Sequence, residues 1–392
     1  MTSRRARAVL GVLSLSAFTF VTTELLPIGL LTVIAPDLGR SRSQVGLLVS
    51  GYALVVVLAS IPLALLTQRV PRRQLLTVAM LLFAVANVAG ALASTYEILA
   101  GSRLITALTQ ALFWSVAPPA VTGLFPVERR GRVVAVFGFG PALAPVLGVP
   151  LCTWLGQQAG WRTAFFLMAV AGVAAATAVA VLLPSAVPAE GGAARGTTPD
   201  RRRFRILVVV TAIGITGFLT FTTYVTPFLL DVAGFGAGAL APLLFVSGVA
   251  GAVGTLAVSR TLDAHPVASM AVPLAVGAFA LLGLFAVGGS KPLAGVLLGG
   301  SGLAYAAYAT SLQNRMFQLA PGSTDVASAT LGTAFNLGIA AGSLAGGALL
   351  ALPGSRSIAP AGGLLVVAAL VLLIADSRAA NSRCNKPANH IH

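Results

Sequence analysis

Charged residues are scarce in this chain of 392 residues: they make up 9% of it, and only ten residues are acidic. A soluble globular domain carries about 25% charged residues, so the composition excludes that class. Hydrophobic residues make up 57% of the sequence, and the mean hydropathy is +0.93. The chain is therefore predicted to be an all-α integral membrane protein that crosses the bilayer several times.

Histidine and cysteine are nearly absent. Of the three histidines, His265 lies in a predicted loop and His390 and His392 lie at the end of the chain, so none is available inside the membrane for catalysis or metal ligation. The two cysteines, Cys152 in an apolar run and Cys384 in the polar tail, are placed too differently to predict a disulfide or a metal site. We expect no metal and no cofactor.

Two further absences bear on the class of membrane protein. The sequence has only two lysines, Lys291 and Lys386, and neither follows a glycine, so it contains no phosphate-binding G-x-x-x-x-G-K-[ST] loop. It also lacks the clustered carboxylates or histidines at the bilayer edge that a membrane-embedded enzyme usually requires. The chain is not expected to be an enzyme, and the permease subunit of an ATP-driven pump stays open as a lesser alternative.

Apolar runs of about 20 residues, each long enough for a transmembrane helix, recur twelve times. The predicted helices cover 8–35, 44–67, 74–95, 98–125, 133–157, 163–183, 206–230, 239–259, 267–288, 293–314, 326–352 and 358–376. Most of the 25 Lys and Arg residues fall at the chain ends and in every second connection. Because basic residues accumulate in cytoplasmic loops, this pattern predicts a protein of the cell (inner or cytoplasmic) membrane with both termini in the cytoplasm. The net charge of +15 is an orientation signal, and no nucleic-acid partner is expected.

A polar linker divides the chain into two parts. The linker, 184–205, is rich in Pro, Gly and Arg, a composition that packs no core of its own. It separates a first bundle of six helices, 1–183, from a second, 206–392, that ends in a short cytoplasmic tail.

A faint internal repeat indicates that the two parts are related. TTELLP at 22–27 in the first run resembles TTYVTP at 222–227 in the seventh, and VSG occurs at 49–51 in the second run and at 246–248 in the eighth. Parallel repeats about an axis normal to the membrane describe the two halves of major facilitator transporters, whose substrate lies at the midplane between them. The repeat therefore predicts two pseudo-symmetric six-helix bundles.

Glu24 is the one ionisable residue within the apolar run 8–35. A charge near the bilayer centre costs ~3 kcal/mol or more, so such residues face the protein interior and usually serve an ion or substrate path. A purely structural carboxyl paired with a buried arginine is the alternative. We expect Glu24 to take part in proton or ligand movement.

The segment from Glu24 to Pro62 resembles the helix 1–2 signature of bacterial drug:proton antiporters of the major facilitator superfamily. The likeness is greatest to chloramphenicol-resistance exporters and to the related sugar or arabinose efflux branch, and it extends to GVPLCTWLGQQAGWRTAFF at 148–166 and FNLGIAAGSLAGG at 335–347. The resemblance implies the major facilitator fold. It also implies a multi-pass exporter that works by alternating access.

Three further parts of the chain resemble motifs of this family. The basic residues Arg69, Arg72 and Arg73 match the family's loop between helices 2 and 3, although Gln68 replaces its acid, and they equally suit a plain topology signal. The resemblance implies a gating role for them.

Arg103 matches a buried arginine of the family. As a functional group it would hold Glu24 ionised until a proton or substrate competes; as a structural group it would extend to the outer interface near Glu97.

The segment with Gly140, Pro141 and Gly148 resembles the antiporter signature of helix 5, without its double glycine. Glycine and proline there would bend the helix and allow close contact with a neighbour.

Aromatic and amide side chains in the apolar runs are candidate substrate contacts, although each also suits packing or an interfacial position. They are Tyr52, Trp114, Tyr224, Tyr305, Tyr308 and Asn336.

The sequence and its resemblance together predict a proton-coupled exporter of a small antibiotic, with chloramphenicol as the expected drug. A sugar or other metabolite efflux transporter of the same fold is the alternative. The expected partners are the small-molecule substrate, protons and the lipid bilayer, and the chain is expected to work as a monomer.

Overall fold

The computed structural model describes residues 3–67, 70–126, 130–184, 198–262, 264–287, 289–321, 324–351 and 354–384. The elements of the first half are α1 (Ser3–Asp37), α2 (Arg42–Leu66), α3 (Arg72–Ala91), α4 (Tyr96–Thr122), α5 (Arg130–Leu143), a π-helical segment (Ala144–Gly148), α6 (Val149–Ala159) and α7 (Trp161–Leu182). Those of the second half are α8 (Arg201–Thr222), α9 (Val225–Asp231), a short 3₁₀ turn (Ala237–Ala239), α10 (Leu240–Ser259), α11 (Ala268–Val287), α12 (Lys291–Leu319), α13 (Thr324–Ala351), a 3₁₀ turn (Ser355–Ser357) and α14 (Ile358–Cys384).

Each of the twelve predicted runs is helical, which confirms the all-α membrane fold. Two runs are interrupted: 133–157 forms α5, the π-helical segment and α6, and 206–230 forms α8 and α9. Eleven helical stretches of the described residues are long and apolar enough to cross a membrane. The remaining run forms α4, 27 residues long, which carries two of the polar side chains described below.

Two helix starts show how the sequence sets helix boundaries. Ser41 and Gln44 form a capping box at the start of α2, in which each side chain bonds the other residue's main-chain N–H. The Asp200 side chain accepts from the N–H groups of Arg202 and Arg203, so α8 begins at Arg201, inside the predicted linker 184–205. Residues 185–197 of that linker lie outside the described residues.

Helices α1–α7 pack against one another, and so do α8–α14. The two halves meet where α2 packs against α13, and where α10 packs against the π-helical segment and α6. Gly248 of α10 allows the second approach, since a Cβ there would lie 2.5 Å from the Pro145 carbonyl oxygen. This arrangement leaves α1 beside the junction of the two halves.

Large apolar side chains cover much of the outer surface. Leu58 of α2, Val170 of α7 and Phe279 of α11 are more than half exposed, and many others resemble them. A soluble monomer does not expose apolar surface on this scale, whereas lipid chains cover it at no cost. The protein is a multi-pass membrane protein.

Candidate proton and substrate site

Glu24 lies within α1 and is 8% exposed. Its Oε2 accepts a hydrogen bond of 2.7 Å from Nε2 of Gln110, a residue of α4 that is itself buried. The Gln110 Oε1 in turn accepts from the Tyr52 hydroxyl over 2.7 Å. The side chain that contacts this carboxyl is therefore a neutral amide, anchored by a tyrosine of α2.

Arg103 is fully buried next to this group, yet the two charged side chains form no salt bridge in the described part of the chain. Its Nη1 donates to the Thr23 carbonyl over 2.5 Å and its Nη2 to the Glu24 carbonyl over 2.9 Å. Its guanidinium carbon lies 4.4 Å from the centre of the Tyr52 ring. Arg103 thus bonds the main chain of α1 instead of extending to the interface, and it contributes positive charge beside the carboxyl.

Pro27 explains why a main-chain oxygen is available to Arg103. In an α-helix the N–H of residue 27 would bond the carbonyl of residue 23, but proline has no N–H. The Thr23 carbonyl would then be buried without a donor, which costs free energy in an apolar interior. The Nη1 of Arg103 takes the place of the missing N–H, and α1 continues to Asp37.

Sequence reasoning missed Gln110, although a signal was present. Gln110 follows Arg103 by seven residues, which is about two turns of an α-helix, so both side chains lie on one face of α4. A second polar residue on the face of Arg103 indicated a polar site. Spacing alone does not determine whether Arg103 or Gln110 reaches the Glu24 carboxyl.

Tyr305 is the predicted contact of the second half that lies near this group. It is partly exposed and lies within electrostatic range of the Glu24 carboxylate. Its ring packs edge-on against Phe218 of α8, with centroids 5.6 Å apart. Tyr308, one turn further along α12, is fully buried and donates its hydroxyl to the Val210 carbonyl over 2.8 Å. Tyr305 therefore packs on α8 within electrostatic range of Glu24, and Tyr308 joins α12 to α8.

The other predicted contacts form no hydrogen bond to Glu24 among the described residues. Tyr224, between α8 and α9, is buried and donates to the Ser343 carbonyl over 3.0 Å. Trp114 packs edge-on against Phe113 and Phe137 within the first half. Asn336 donates to the carbonyl of Gly332 on its own helix. Their predicted role in substrate binding stays a prediction.

The three basic residues of the second connection divide between described and undescribed parts of the chain. Arg72 and Arg73 form the first turn of α3 and are partly buried. Arg69 lies outside the described residues. Their predicted gating role stays a prediction.

Gly140 and Gly148 bring the helix with Pro141 close to α1. The Gly140 N–H donates to the Ser14 hydroxyl over 3.1 Å, and a Cβ at Gly140 would overlap the Ser14 carbonyl oxygen. A Cβ at Gly148 would overlap the Thr22 hydroxyl, two residues before Glu24. The π-helical segment that ends at Gly148 contains Pro145, which removes a further main-chain donor and favours a widened turn.

The two halves are joined at one end of the molecule, which we call the α1–α2 end because α1 ends and α2 begins there. Arg42 of α2 pairs with Asp231 of α9. Beside this pair, α2 and α13 exchange two hydrogen bonds. They run from the Ser43 hydroxyl to the Gly347 carbonyl over 2.7 Å and from the Ser343 hydroxyl to the Gly46 carbonyl over 2.9 Å. The structure is closed at the α1–α2 end.

Comparison with known proteins agrees with this architecture. The family model of the Major Facilitator Superfamily matches residues 12–334. A "Probable sugar efflux transporter" of Mannheimia succiniciproducens is 31% identical over 366 residues, 93% of this chain and 92% of that protein.

Solved structures share the fold at lower identity. A bacterial homologue of the human lysosomal transporter Spinster, in an inward-facing and occupied conformation, matches with a TM-score of 0.72 and 17% identity over 96% of this chain and 98% of that one. The human organic anion transporter MFSD10 (TETRAN) matches with a TM-score of 0.71 and 19% identity over 95% of this chain and 100% of that one. The family match and the relative together show that the chain belongs to the major facilitator superfamily of transporters.

Proposed function

We propose that the protein exports a small, neutral, polar solute of the sugar class in exchange for protons, and that Glu24 carries the proton. The observation that carries the proposal is the contact of the Glu24 carboxyl with the neutral Gln110 amide, with no salt bridge to Arg103 among the described residues. A carboxyl held in this way gains or loses a proton without breaking an ion pair. Intramembrane carboxyls mark proton relays in transporters.

The relative named above supports a sugar in place of an antibiotic. It is described as a sugar efflux transporter and aligns over nearly the whole of both chains. The sequence resemblance covered this branch as well as the chloramphenicol exporters, and the description of this relative favours the sugar branch. A sugar presents many hydroxyl groups and no charge, so binding it would not compete with a proton for Glu24 by charge alone.

We further infer that both termini face the cytoplasm, from the excess of Lys and Arg on that side. The closed α1–α2 end then faces outward, and the structure corresponds to a state that receives solute from the cytoplasm. Entry of one proton through 100 mV supplies ~2.3 kcal/mol. At 1.4 kcal/mol per decade that energy supports a solute gradient of roughly 50-fold.

The test is transport by the purified protein in proteoliposomes under an imposed proton gradient. Labelled monosaccharides and disaccharides, a pentose and chloramphenicol are supplied in parallel, with Glu24→Gln as the uncoupled control. We expect gradient-driven movement of at least one sugar, abolished by a proton uncoupler. Chloramphenicol movement without sugar movement would overturn the substrate class. Transport that requires ATP and a partner protein, and that survives the uncoupler, would overturn the mechanism.

A further inference from the structure

Gln110 connects the Glu24 carboxyl to two further groups of the first half. Its Nε2 donates to Glu24, its Oε1 accepts from the Tyr52 hydroxyl, and that hydroxyl lies 3.4 Å from the main-chain oxygen of Thr106. Gln110, Tyr52 and Thr106 are each no more than 3% exposed. A primary amide offers a donor on one side and an acceptor on the other, and a half-turn of its last bond exchanges them.

The observed orientation suits an ionised Glu24. A carboxylate only accepts hydrogen bonds, so it requires the amide nitrogen of Gln110, and the amide oxygen is then satisfied by the Tyr52 O–H. A protonated Glu24 carries an O–H group, and the amide nitrogen cannot accept a hydrogen bond from it. If the amide keeps this orientation, the donor has no acceptor on Gln110, and an unpaired buried donor is costly.

The opposite orientation suits a protonated Glu24. The carboxyl O–H would donate to Gln110 Oε1, and Gln110 Nε2 would donate to the Tyr52 oxygen. The Tyr52 O–H would then turn to the Thr106 carbonyl, which already lies 3.4 Å away. In both arrangements, each link from Glu24 through Gln110 to Tyr52 pairs one donor with one acceptor. The one covalent change is the O–H bond of Glu24, whose proton comes from the aqueous phase.

We propose that Gln110 is a positioning residue whose amide turns over when Glu24 gains or loses its proton, and that Tyr52 and the Thr106 carbonyl take up the change. The proposal rests on the proton-carrying role proposed for Glu24. It assigns Tyr52 to the proton step rather than to substrate contact. Arg103 stays in place in both arrangements, because its contacts are main-chain carbonyls and the Tyr52 ring.

Among the described side chains, few ionisable groups surround this series of hydrogen bonds. Those near Glu24 are Arg103 of α4, Tyr52 of α2 and Tyr305 of α12, and Cys152 is buried in α6, which packs on α1. The other charged side chains described on helices that pack against α1 lie at helix ends, namely Arg42, Glu97, Arg162 and Asp231. The Gln110 amide is thus the main group that responds when Glu24 gains or loses a proton.

Infrared difference spectroscopy of the purified protein tests the proposal without any substrate. Spectra at acid and neutral pH are compared for the native protein, Glu24→Gln, Gln110→Leu and Tyr52→Phe. Tyr308→Phe is the matched control, because it also removes a buried hydroxyl bonded to a carbonyl. We expect a carboxyl band in the native spectrum that is absent in Glu24→Gln. A side-chain amide band should accompany it, and this band should be absent in Gln110→Leu, shifted in Tyr52→Phe and unchanged in Tyr308→Phe. Gln110→Leu should also lower proton-driven turnover about 10- to 100-fold, as for a lost hydrogen bond to a charged group.

The outcomes separate the two proposals. The native protein could show a carboxyl band but no amide band that depends on Gln110. That result would contradict the rotation of the Gln110 amide and leave proton binding at Glu24 intact. Both bands without sugar transport would leave the inference standing and overturn the substrate class. If Gln110→Leu does not fold, Tyr52→Phe decides, since an amide band identical to the native one contradicts the role of Tyr52.

Discussion

At the scale of single residues, Arg103 and Pro27 act as a pair on the main chain of α1. Proline removes the donor for the Thr23 carbonyl, and the arginine supplies one from α4. The repeat in the second half, TTYVTP at 222–227, also has a proline four residues after a threonine, and there the helix is interrupted between Thr222 and Val225. The same spacing of threonine and proline thus occurs in a continuous helix in one half and in a broken helix in the other.

We predict that Arg103→Ala destabilises the protein by about 3 kcal/mol, since two hydrogen bonds from a charged group are lost. Arg103→Lys should restore part of the loss, because an ammonium group keeps the charge without the planar fork. Adding Pro27→Ala to Arg103→Ala should also recover stability, because it returns the N–H that bonds the Thr23 carbonyl. Thermal unfolding in detergent measures these effects. If Glu24→Gln restored stability to the Arg103→Ala variant and Pro27→Ala did not, Arg103 would instead act through the Glu24 carboxylate.

We predict that Glu24→Gln abolishes proton-driven export and leaves the protein folded. Glutamine keeps the shape of the side chain and can still bond Gln110, but it does not titrate. Counterflow exchange of solute, which needs no net proton movement, should survive in part. Glu97→Gln is the matched control, since Glu97 is an exposed acid paired with Arg40 at the α1–α2 end. Full proton-driven export by Glu24→Gln would remove the carboxyl from the mechanism.

At the scale of elements, the interrupted helix α5–π–α6 is held against α1 by glycines. We predict that Gly140→Ala destabilises the protein by about 1–3 kcal/mol, because its Cβ would overlap the Ser14 carbonyl oxygen and the helices must separate. Gly138→Ala, two residues earlier on α5, meets no atom within 4 Å and should be neutral or slightly stabilising. Melting temperatures of the two variants check this, and equal values would show that α5 and α1 are not packed as described.

At the scale of the whole molecule, the contacts at the α1–α2 end set which side of the transporter is closed. We predict that Arg42→Glu shifts the protein toward opening at this end. The substitution replaces the attraction between Arg42 and Asp231, which joins the two halves, by repulsion between two acidic side chains. Partly exposed ion pairs contribute roughly 0.2–1 kcal/mol, so the shift in populations should be up to about fivefold. Distances between spin labels on α2 and α13 measure it, and Asp231→Arg in the same chain should reverse it.

Arg40→Glu is the control for this shift. Arg40 pairs with Glu97, and both belong to the first half, so its reversal should leave the populations unchanged. An equal shift in both variants would mean that net charge at this end, and not the cross-half pair, decides the equilibrium.

The membrane class and the helical runs follow from the sequence alone, which also predicts a role for Glu24. These follow from local properties: an apolar run in lipid must satisfy its main-chain hydrogen bonds within itself, so length and composition alone predict a helix. A lone carboxylate in such a run is costly wherever it faces lipid, so its presence indicates a role before any contact is known.

Which groups meet depends on the tertiary structure. The partner of Glu24 is Gln110, 86 positions away, and the target of Arg103 is a pair of main-chain carbonyls about 80 positions away. Tyr224, Tyr305 and Tyr308 look alike in an apolar run. Yet the first lies where the halves meet, the second lies within electrostatic range of Glu24, and the third joins two helices. Helical period tells which residues share a face, but the rotation and approach of neighbouring helices determine what that face contacts, and those depend on packing throughout the bundle.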